Sequence, residues 1–146
     1  MHLTPVFEAM KRARPEIEIA VATRGLGLQV LRHSRFIDHL IETPNPTTDL
    51  PGAVLGLRQE LRRRGLRPEC VLTGASDQRT RIALMGALAT GGWRGGFTQR
   101  PELYRRPLAY DAGLSLIGNN LRLAALAGWR ARGRRRLAGP SRSRRP

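Results

Sequence analysis

The sequence predicts an α/β fold of the Rossmann-like type, a single domain with three layers around a mainly parallel sheet. Short apolar segments such as Ile17 to Thr23 (IEIAVAT) alternate along the chain with stretches of helical periodicity. Strands that alternate with helices form right-handed βαβ units, and these units build a parallel sheet covered by helices. The chain has 146 residues, of which 40% are hydrophobic, and this is enough for one domain with its own core.

The first half of the chain is predicted to begin with a helix. Pro5 suits the first turn of this helix, Thr4 is its expected N-cap, and Arg14–Pro15 ends it. Because a doubly wound domain normally begins with a strand, the domain is expected to lack its first strand. The next elements are a buried strand at 17–23, a short helix at 25–32, a strand at 37–42 and a proline-rich loop at 43–51.

The second half continues the alternation of helices and strands. Its predicted elements are a helix at 55–64 with Gly65 as C-cap, a strand at 69–73, a helix capped by Ser76 or Asp77 and running to 89, a strand at 94–97 and an apolar helix at 113–127. Asn119 and Asn120 on the last helix are expected to be structural. The domain is assigned to residues 1–128. Residues 129–146 are predicted to be a disordered Arg-rich tail, because they cannot bury apolar surface.

About half of the net charge of +15 lies at the carboxyl end, where residues 129–146 hold eight Arg and no acidic residue. Lys11 is the one lysine among 26 basic residues. This composition indicates either phosphate recognition, because guanidinium binds phosphate bidentately, or the codon usage of a GC-rich genome. It is also typical of proteins that bind nucleic acids, but aromatic residues make up only 5% and the sequence contains no nucleic-acid-binding motif.

The sequence predicts no metal site and no cofactor. Cys70 is the only cysteine, so it can form neither an internal disulfide nor a zinc site, and it is expected to be a small buried side chain. The three histidines lack the spacing of metal ligands. No apolar run of about 18 residues and no secretory signal is found. The cytoplasm is therefore the expected compartment, with peripheral contact to the anionic inner membrane as a further possibility.

The stretch from Arg81 to Ala127 carries the strongest functional indication. It reads RIALMGALATGGWRGGFTQRPELYRRPLAYDAGLSLIGNNLRLAALA: an amphipathic helix, a short strand ending in Gly-Phe, an Arg-rich loop and an apolar helix. The front of the chain has Thr4–Pro5 opening a helix and Arg14–Pro15 leading into a strand. This order resembles the N-terminal domain of bacterial glycosyltransferase family 9, the ADP-heptose:lipopolysaccharide heptosyltransferases. The resemblance covers roughly Leu3 to Gly128.

The resemblance implies the acceptor-side half of a GT-B enzyme. Such an enzyme moves heptose or hexose from a nucleotide-sugar, such as ADP-heptose, onto a phosphorylated glycolipid acceptor such as lipopolysaccharide core. In the family a second domain binds the nucleotide-sugar, and the acidic catalytic base comes just before the residues that match Met1 to Pro5. The resemblance therefore assigns no catalytic residue to this chain, and we expect the chain alone to be inactive.

Four residues are candidates for binding the acceptor. Arg100 matches the family's arginine after the Gly-Phe strand, which contacts an acceptor phosphate or carboxylate. Arg79 approximates the basic residue in the family's (D)xQGxx(R/K)SA motif. Thr4 and Tyr104 complete the set, although Thr4 also fits a plain helix cap and Tyr104 a charged surface loop. The alternative for the whole chain is a basic domain that binds nucleic acid or phosphoglycan without catalysis; no specific nucleic acid is expected in the favoured interpretation.

Overall fold

The computed structural model describes residues 3–137 and has an α/β fold of the Rossmann-like type, as the sequence predicts. The helices and strands of this part alternate along most of its length. In chain order they are α1 Thr4–Ala13, β1 Ala20–Thr23, α2 Leu26–Leu31, β2 His39–Glu42, α3 Leu50–Arg63, β3 Cys70–Thr73, α4 Thr80–Ala89, β4 Trp93–Phe97, β5 Arg106–Leu108 and α5 Leu116–Leu137. A short 3₁₀ turn, Pro101–Leu103, lies between β4 and β5.

Every strand pairing is parallel, but the pairings form two separate half-sheets. β1 pairs with β2, with Ala20 opposite His39. β3 pairs with β4, with Leu72 opposite Gly95, and β4 pairs with β5. Within residues 3–137 no ladder joins β1 to β3. The single sheet expected from the sequence is therefore observed as a two-stranded half and a three-stranded half.

Two hydrophobic clusters hold the half-sheets and helices together. The larger cluster joins α1 and α5 to both half-sheets: Val6, Phe7, Met10, Ile19, Ala75, Phe97 and Leu123. The second cluster joins α3 and α4 to β2: Ile41, Val54, Leu57, Leu61 and Ala89. Because each pair of helices packs against its own cluster, the helices form two layers with the strands between them, as in a doubly wound domain.

Helix α1 runs from the carboxyl end of β3 to the amino end of β1. At its start, Leu3 lies against Gly74, where an added Cβ atom would stand 3.0 Å from Leu3 Cδ2. At its end, Lys11 Nζ donates to Asp38 Oδ2 at 2.6 Å, and the same carboxylate oxygen accepts the amide N–H of Ile19 at 2.7 Å. The helix is thus fixed at both ends, beside β3 at one and beside β1 and β2 at the other.

Helix α3 begins earlier than the sequence predicts. The stretch from Thr43 to Pro51 was expected to be a loop throughout, but the helix starts at Leu50. Asp49 Oδ1 accepts the amide N–H of Gly52 at 2.9 Å and so caps the first turn. Pro51 lies in that turn, where its missing N–H costs nothing. Pro51 suggests a loop in the sequence, but it belongs to the first turn of α3.

Helix α5 and strand β5 also differ from the prediction. The last helix was expected at 113–127 and is observed from Leu116 to Leu137, so its backbone continues into the segment predicted as a disordered tail. The rest of that tail, 138–146, lies outside the described residues. Strand β5 was not predicted, because its sequence Arg-Pro-Leu has no alternating pattern and its proline suits only an edge strand.

The predicted helix caps are wrong at two positions. Leu3, and not Thr4, stands at the N-cap of α1, and Thr4 is the first helical residue. Arg79 stands at the N-cap of α4, which begins at Thr80, so neither Ser76 nor Asp77 caps it. Leucine has no polar side-chain atom and arginine has only donors, so neither residue can accept a hydrogen bond from the helix. Both helices therefore begin without the side-chain cap that the sequence suggested.

Two further expectations concern Cys70 and Gly65. Cys70 was expected to be buried but is half-buried at the start of β3. Gly65 follows α3 with a φ of 66°, in the left-handed conformation expected of a glycine that ends a helix. Across the described part of the chain, no helix is both long and apolar enough to cross a bilayer.

Candidate functional site

The carboxyl ends of β3 and β4 form the edge at which a ligand is expected. In open α/β sheets, ligands bind in the crevice outside the carboxyl ends of the strands, where neighbouring connections run to opposite faces of the sheet. At this edge lie the loop after β3 (74–79), the loop after β4 (98–105) and, through the Leu3–Gly74 contact, the first turn of α1. We call these three segments the carboxyl-edge crevice.

A buried hydroxyl pair joins the two loops at their base. Thr73 Oγ1 donates to the carbonyl oxygen of Phe97 at 2.7 Å and lies 2.9 Å from the hydroxyl oxygen of Tyr104. A hydroxyl has only one proton to give, so Tyr104 is the donor in its contact with Thr73. Thr73 and Tyr104 are both 7% exposed. Burial of this kind fixes the end of β3 against the loop after β4.

Glycine at position 96 makes the close approach of β3 and β4 possible. Gly96 has a φ of 105°, a conformation that residues with a side chain rarely adopt. A Cβ atom there would stand 2.4 Å from Thr73 O and 2.9 Å from Leu123 Cδ2. Packing therefore explains the glycine before Phe97 at the end of β4: the backbone there contacts β3 on one side and α5 on the other.

The loop after β3 is held by hydrogen bonds from three directions. Asn120 Oδ1, on α5, accepts the amide N–H of Ala75 at 2.8 Å, and Asn120 is 1% exposed. Gln78 Nε2 donates to the carbonyl oxygen of Ala75 at 2.8 Å. The amide of Gln99 donates to the carbonyl oxygen of Gln78 at 2.8 Å, which ties this loop to the loop after β4. The position of the loop is thus set by α5 and β4 as well as by its own sequence.

The bond between Gln78 and Gln99 places two of the predicted site residues on adjoining loops. Arg79 and Arg100 each follow directly after one partner of this bond. Both arginines are exposed. Arg100 lies 3.4 Å from Glu102 in an ion pair whose side chains are 54% and 60% exposed. Such a pair contributes only about 0–1 kcal/mol, so Arg100 can exchange Glu102 for an anion in solution.

Asp77 adds an acidic group to the crevice. Burial raises the pKa of its carboxyl group, and the nearby Arg79 guanidinium partly opposes this rise. Burial also raises the pKa of the Tyr104 phenol; its hydrogen-bond contacts with Thr73 and Thr98 oppose this rise, and the charge of Asp77 adds to it. Asp77 and Tyr104 therefore act electrostatically on each other, and both groups favour their neutral forms more than they would in water.

The four predicted acceptor-binding residues fall into different environments. Arg79 and Arg100 are exposed on adjoining loops. Thr4 is half-buried in the first turn of α1, at the same edge of the sheet. Tyr104 was weighed against a surface-loop position, and it is buried with its hydroxyl directed at Thr73. Asn119 and Asn120 hold backbone amides of the neighbouring loops, the structural role expected from the sequence.

Sequence reasoning missed two members of the crevice, Thr73 and Asp77. Thr73 is the last residue of a short apolar strand, and Asp77 was considered only as a helix cap. A polar residue at the carboxyl end of a parallel strand, followed by Gly and an acidic residue, is the signal that would have placed both at the ligand-binding edge.

Other arginines gather at a different part of the surface. A groove of 670 Å³ at the amino end of β3 and β4 is lined by residues that include Arg58, Arg62 and Arg67. All three arginines are exposed. A second groove, of 490 Å³, lies beside β2 and is lined in part by Arg63 and Arg64, which pair with Glu60. The buried side-chain hydrogen bonds of Thr73, Tyr104 and Asn120 belong to the carboxyl-edge crevice and not to these grooves.

The described residues contain no group of three or more His, Cys, Asp or Glu side chains that could hold a metal ion. What the crevice offers chemically is a pair of guanidinium groups, a half-buried carboxyl group with a raised pKa and a buried phenol. Searches of protein-family models, of curated proteins and of solved structures found no match to this chain.

Proposed function

We propose that the carboxyl-edge crevice binds the phosphorylated acceptor of a sugar-transfer reaction, as the acceptor-side domain of a glycosyltransferase. The observation that carries the proposal is the placement of Arg79 and Arg100 on adjoining loops joined by the Gln99–Gln78 hydrogen bond. The crevice lies where open α/β sheets bind ligands. The order of elements and the Arg100 motif give the resemblance to glycosyltransferase family 9, and they supply the class of acceptor, a phosphorylated lipopolysaccharide core.

Two exposed arginines on adjoining loops suit the binding of a phosphate group. Each guanidinium can donate two parallel hydrogen bonds to phosphate oxygens, and such charge-assisted bonds are about twice as strong as neutral ones. Arg79 stands at the N-terminus of the ten-residue helix α4, where the unpaired amides and the helix dipole also favour an anion. Arg100 is held through its own amide, which donates to Thr98 Oγ1 at 3.0 Å.

Asp77 adds a carboxyl group near Arg79, and burial raises its pKa. The resemblance places the acidic catalytic base of the reaction before Met1, so the proposal gives Asp77 no catalytic role. The nucleotide-sugar would bind outside residues 3–137, on a second domain as the resemblance implies. A glycolipid acceptor would bring the protein to the anionic cytoplasmic face of the inner membrane, where its positive charge is favourable.

Binding of a phosphorylated inner-core oligosaccharide, measured by calorimetry with the full chain, tests the proposal. The double variant R79Q/R100Q should lose about 10-fold to 100-fold in affinity, because each exposed arginine contributes about 1 kcal/mol net and about 1.4 kcal/mol corresponds to tenfold. The matched control R58Q/R62Q removes the same charge from α3, at the amino-end groove, and should change affinity less than about 3-fold.

The parent chain should bind the dephosphorylated oligosaccharide weakly. Its affinity should equal that of R79Q/R100Q for the phosphorylated oligosaccharide. Equal affinities of the two double variants for the phosphorylated oligosaccharide would contradict the proposal.

Nucleic-acid binding is the second candidate, and the net charge of +15 is the observation that favours it. Single-stranded RNA in the same assay separates the two functions. A nucleic-acid-binding protein would bind RNA more tightly than the oligosaccharide, and its affinity would fall steeply with salt. Such binding would depend on total charge, so R79Q/R100Q and R58Q/R62Q would weaken it equally.

A further inference from the structure

Each half-sheet has one edge that is protected against pairing with a further strand and one edge that is not. The outer edge of β2 is closed by Arg64, whose Nη2 donates to the carbonyl oxygen of Leu40 at 3.2 Å. The outer edge of β5 contains Pro107, which has no N–H to offer to another strand. Charged side chains and prolines are the usual protection of a true sheet edge. β2 and β5 are therefore built as the two outer strands.

The edge of β1 that faces away from β2 lacks such protection. The amide of Ile19 donates to Asp38, and its carbonyl oxygen accepts from the amide of His39, so the backbone of Ile19 points towards β2. Backbone groups alternate in direction along a strand, so those of Ala20 and Ala22 point the other way. These two residues are the exposed members of β1, although parallel strands are normally buried on both faces.

The edge of β3 that faces away from β4 has the same character. The amide of Trp93 donates to the carbonyl oxygen of Glu69 at 3.1 Å, and the backbone of Thr73 lies against Gly96 of β4. By the same alternation, the backbone of Leu72 points away from β4. The side chain of Leu72 packs against the larger hydrophobic cluster, which also includes Ile19 next to β1. The inner edges of β1 and β3 thus border one shared core.

The path of α1 shows what belongs between these two edges. A crossover helix starts at the carboxyl end of one strand and ends at the amino end of the next parallel strand. α1 ends beside the amino end of β1 and starts at Leu3, beside Gly74 at the carboxyl end of β3. α1 and α2 both pack on the larger cluster, with Leu31 contributed by α2. A right-handed crossover through α1 then requires its preceding strand on the side of β1 opposite to β2.

From this arrangement we infer that the space between β1 and β3 receives a further parallel strand, a segment that leads directly into α1 at Leu3. The segment is extended, apolar and rich in β-branched residues, because it pairs on both sides and is covered by Val6 and Phe7 of α1. It joins the two half-sheets into one six-stranded sheet in the order β2, β1, inserted strand, β3, β4, β5. This inference rests on the facing edges of β1 and β3 and on the path of α1, and not on the proposed function.

Fusing a strand to the chain tests the inference. The test protein carries five alternating Val and Ile residues fused directly ahead of Met1, so that two residues separate the extension from Leu3, a usual length for a connection between a strand and a helix. In the extended protein, amide hydrogen exchange at Ala20, Ala22 and Leu72 should slow by at least about tenfold. At the amide of Leu108, on the outer strand β5, the logarithm of the exchange rate should fall by less than half as much. The melting temperature of the extended protein should be higher than that of the unmodified chain.

The control extension carries Pro at its second and fourth positions, so that it cannot donate hydrogen bonds at those residues. Equal exchange rates at Ala22 with the Val/Ile and the Pro-containing extensions would overturn the inference. The third arm adds the Val/Ile peptide separately to the unmodified chain. Protection by the separate peptide, without protection by the fused one, would place the occupant on another molecule and would also overturn it. An extended protein that precipitates is replaced by one with Thr at alternate positions, which keeps the β-branched shape and is read by the same exchange rates.

Discussion

The carboxyl and amino edges of the three-stranded half-sheet are both rich in polar groups, but they are built differently. At the carboxyl edge, Thr73 and Tyr104 are 7% exposed and hydrogen-bonded to each other. At the amino edge, Arg58 and Arg62 line an open groove and are exposed. A solvated charge contributes little to stability, whereas a buried polar group must be bonded. Burial and hydrogen bonding, more than charge, therefore distinguish the candidate site from the rest of a very basic surface.

The largest difference between the two edges is expected for glycine substitutions. Gly96→Ala should destabilise the protein by about 3 kcal/mol or more, because the new Cβ would stand 2.4 Å from Thr73 O in a backbone with φ of 105°. Gly91→Ala, at the amino edge, meets nothing within 4 Å and should change the free energy of unfolding by less than about 0.5 kcal/mol. Urea unfolding measures both, and similar midpoints would contradict the comparison.

A smaller loss is expected when a buried amide is removed from the carboxyl edge. Asn120→Ala leaves the amide N–H of Ala75 without its acceptor, and Ala75 is 7% exposed. The free energy of unfolding should fall by about 1–3 kcal/mol. Asn45→Ala removes a similar bond, to the amide of Thr47 at 3.0 Å, but in an exposed turn where water replaces it. Thermal unfolding should show the Asn45 variant within about 1 kcal/mol of the parent.

Removing the Tyr104 hydroxyl should have a moderate effect that depends on pH. Tyr104→Phe loses the bond to Thr73 Oγ1 and should cost about 1 kcal/mol at pH 7. Because burial raises the pKa of Tyr104 in the folded state, its contribution is fully present below the unfolded pKa of about 10 and is lost as pH rises beyond it. The parent should therefore lose stability above about pH 10 more steeply than the variant.

Tyr110→Phe, at a tyrosine that is 49% exposed, is the matched control and should change the free energy of unfolding at pH 7 by less than about 0.5 kcal/mol. If Tyr104→Phe and the parent fall in parallel above about pH 10, the buried phenol is not responsible for the loss.

The smallest expected effect is a gain. Burial raises the pKa of the Asp77 carboxyl group, so the ionised group destabilises the folded state once pH exceeds the folded pKa. Asp77→Asn should therefore raise the melting temperature at pH 7, and the gain should shrink as pH falls towards about 4, where the unfolded carboxyl group is also protonated. Asp111→Asn, at an exposed aspartate, is the matched control and should raise the melting temperature at pH 7 by less than Asp77→Asn does. A loss of stability for Asp77→Asn at pH 7 would mean that the carboxylate is well solvated or paired.

Most of the fold follows from the sequence because the apolar runs are short and clearly bounded. The segment 17–23 contains β1, and the predicted strand at 69–73 contains β3, since β-branched and apolar residues flanked by turn residues leave little alternative. The start of α3 was missed because Pro44, Pro46 and Pro51 suggest a continuous loop, while only the last of them lies in a helix. The N-caps were misplaced by one residue or more because the polar residues Thr4, Ser76 and Asp77 were taken as caps, whereas the helices begin after Leu3 and Arg79.

The candidate site was predictable only in part. Arg79 and Arg100 follow from their places after predicted strands. That they adjoin depends on a backbone bond between Gln78 and Gln99, which joins two loops with no shared pattern in the sequence. The burial of Tyr104 was also hidden, because it stands in a run of charged residues and only the tertiary fold turns its side chain towards Thr73.

The larger hydrophobic cluster has a consequence for how the protein folds. It joins Val6 and Phe7, near one end of the described chain, to Leu123, near the other. Contacts between residues so distant in sequence form slowly, because a long loop must close before they contribute. During synthesis α1 leaves the ribosome long before α5 is made, and its apolar face remains exposed in the meantime. The larger cluster can therefore be completed only after translation has passed α5.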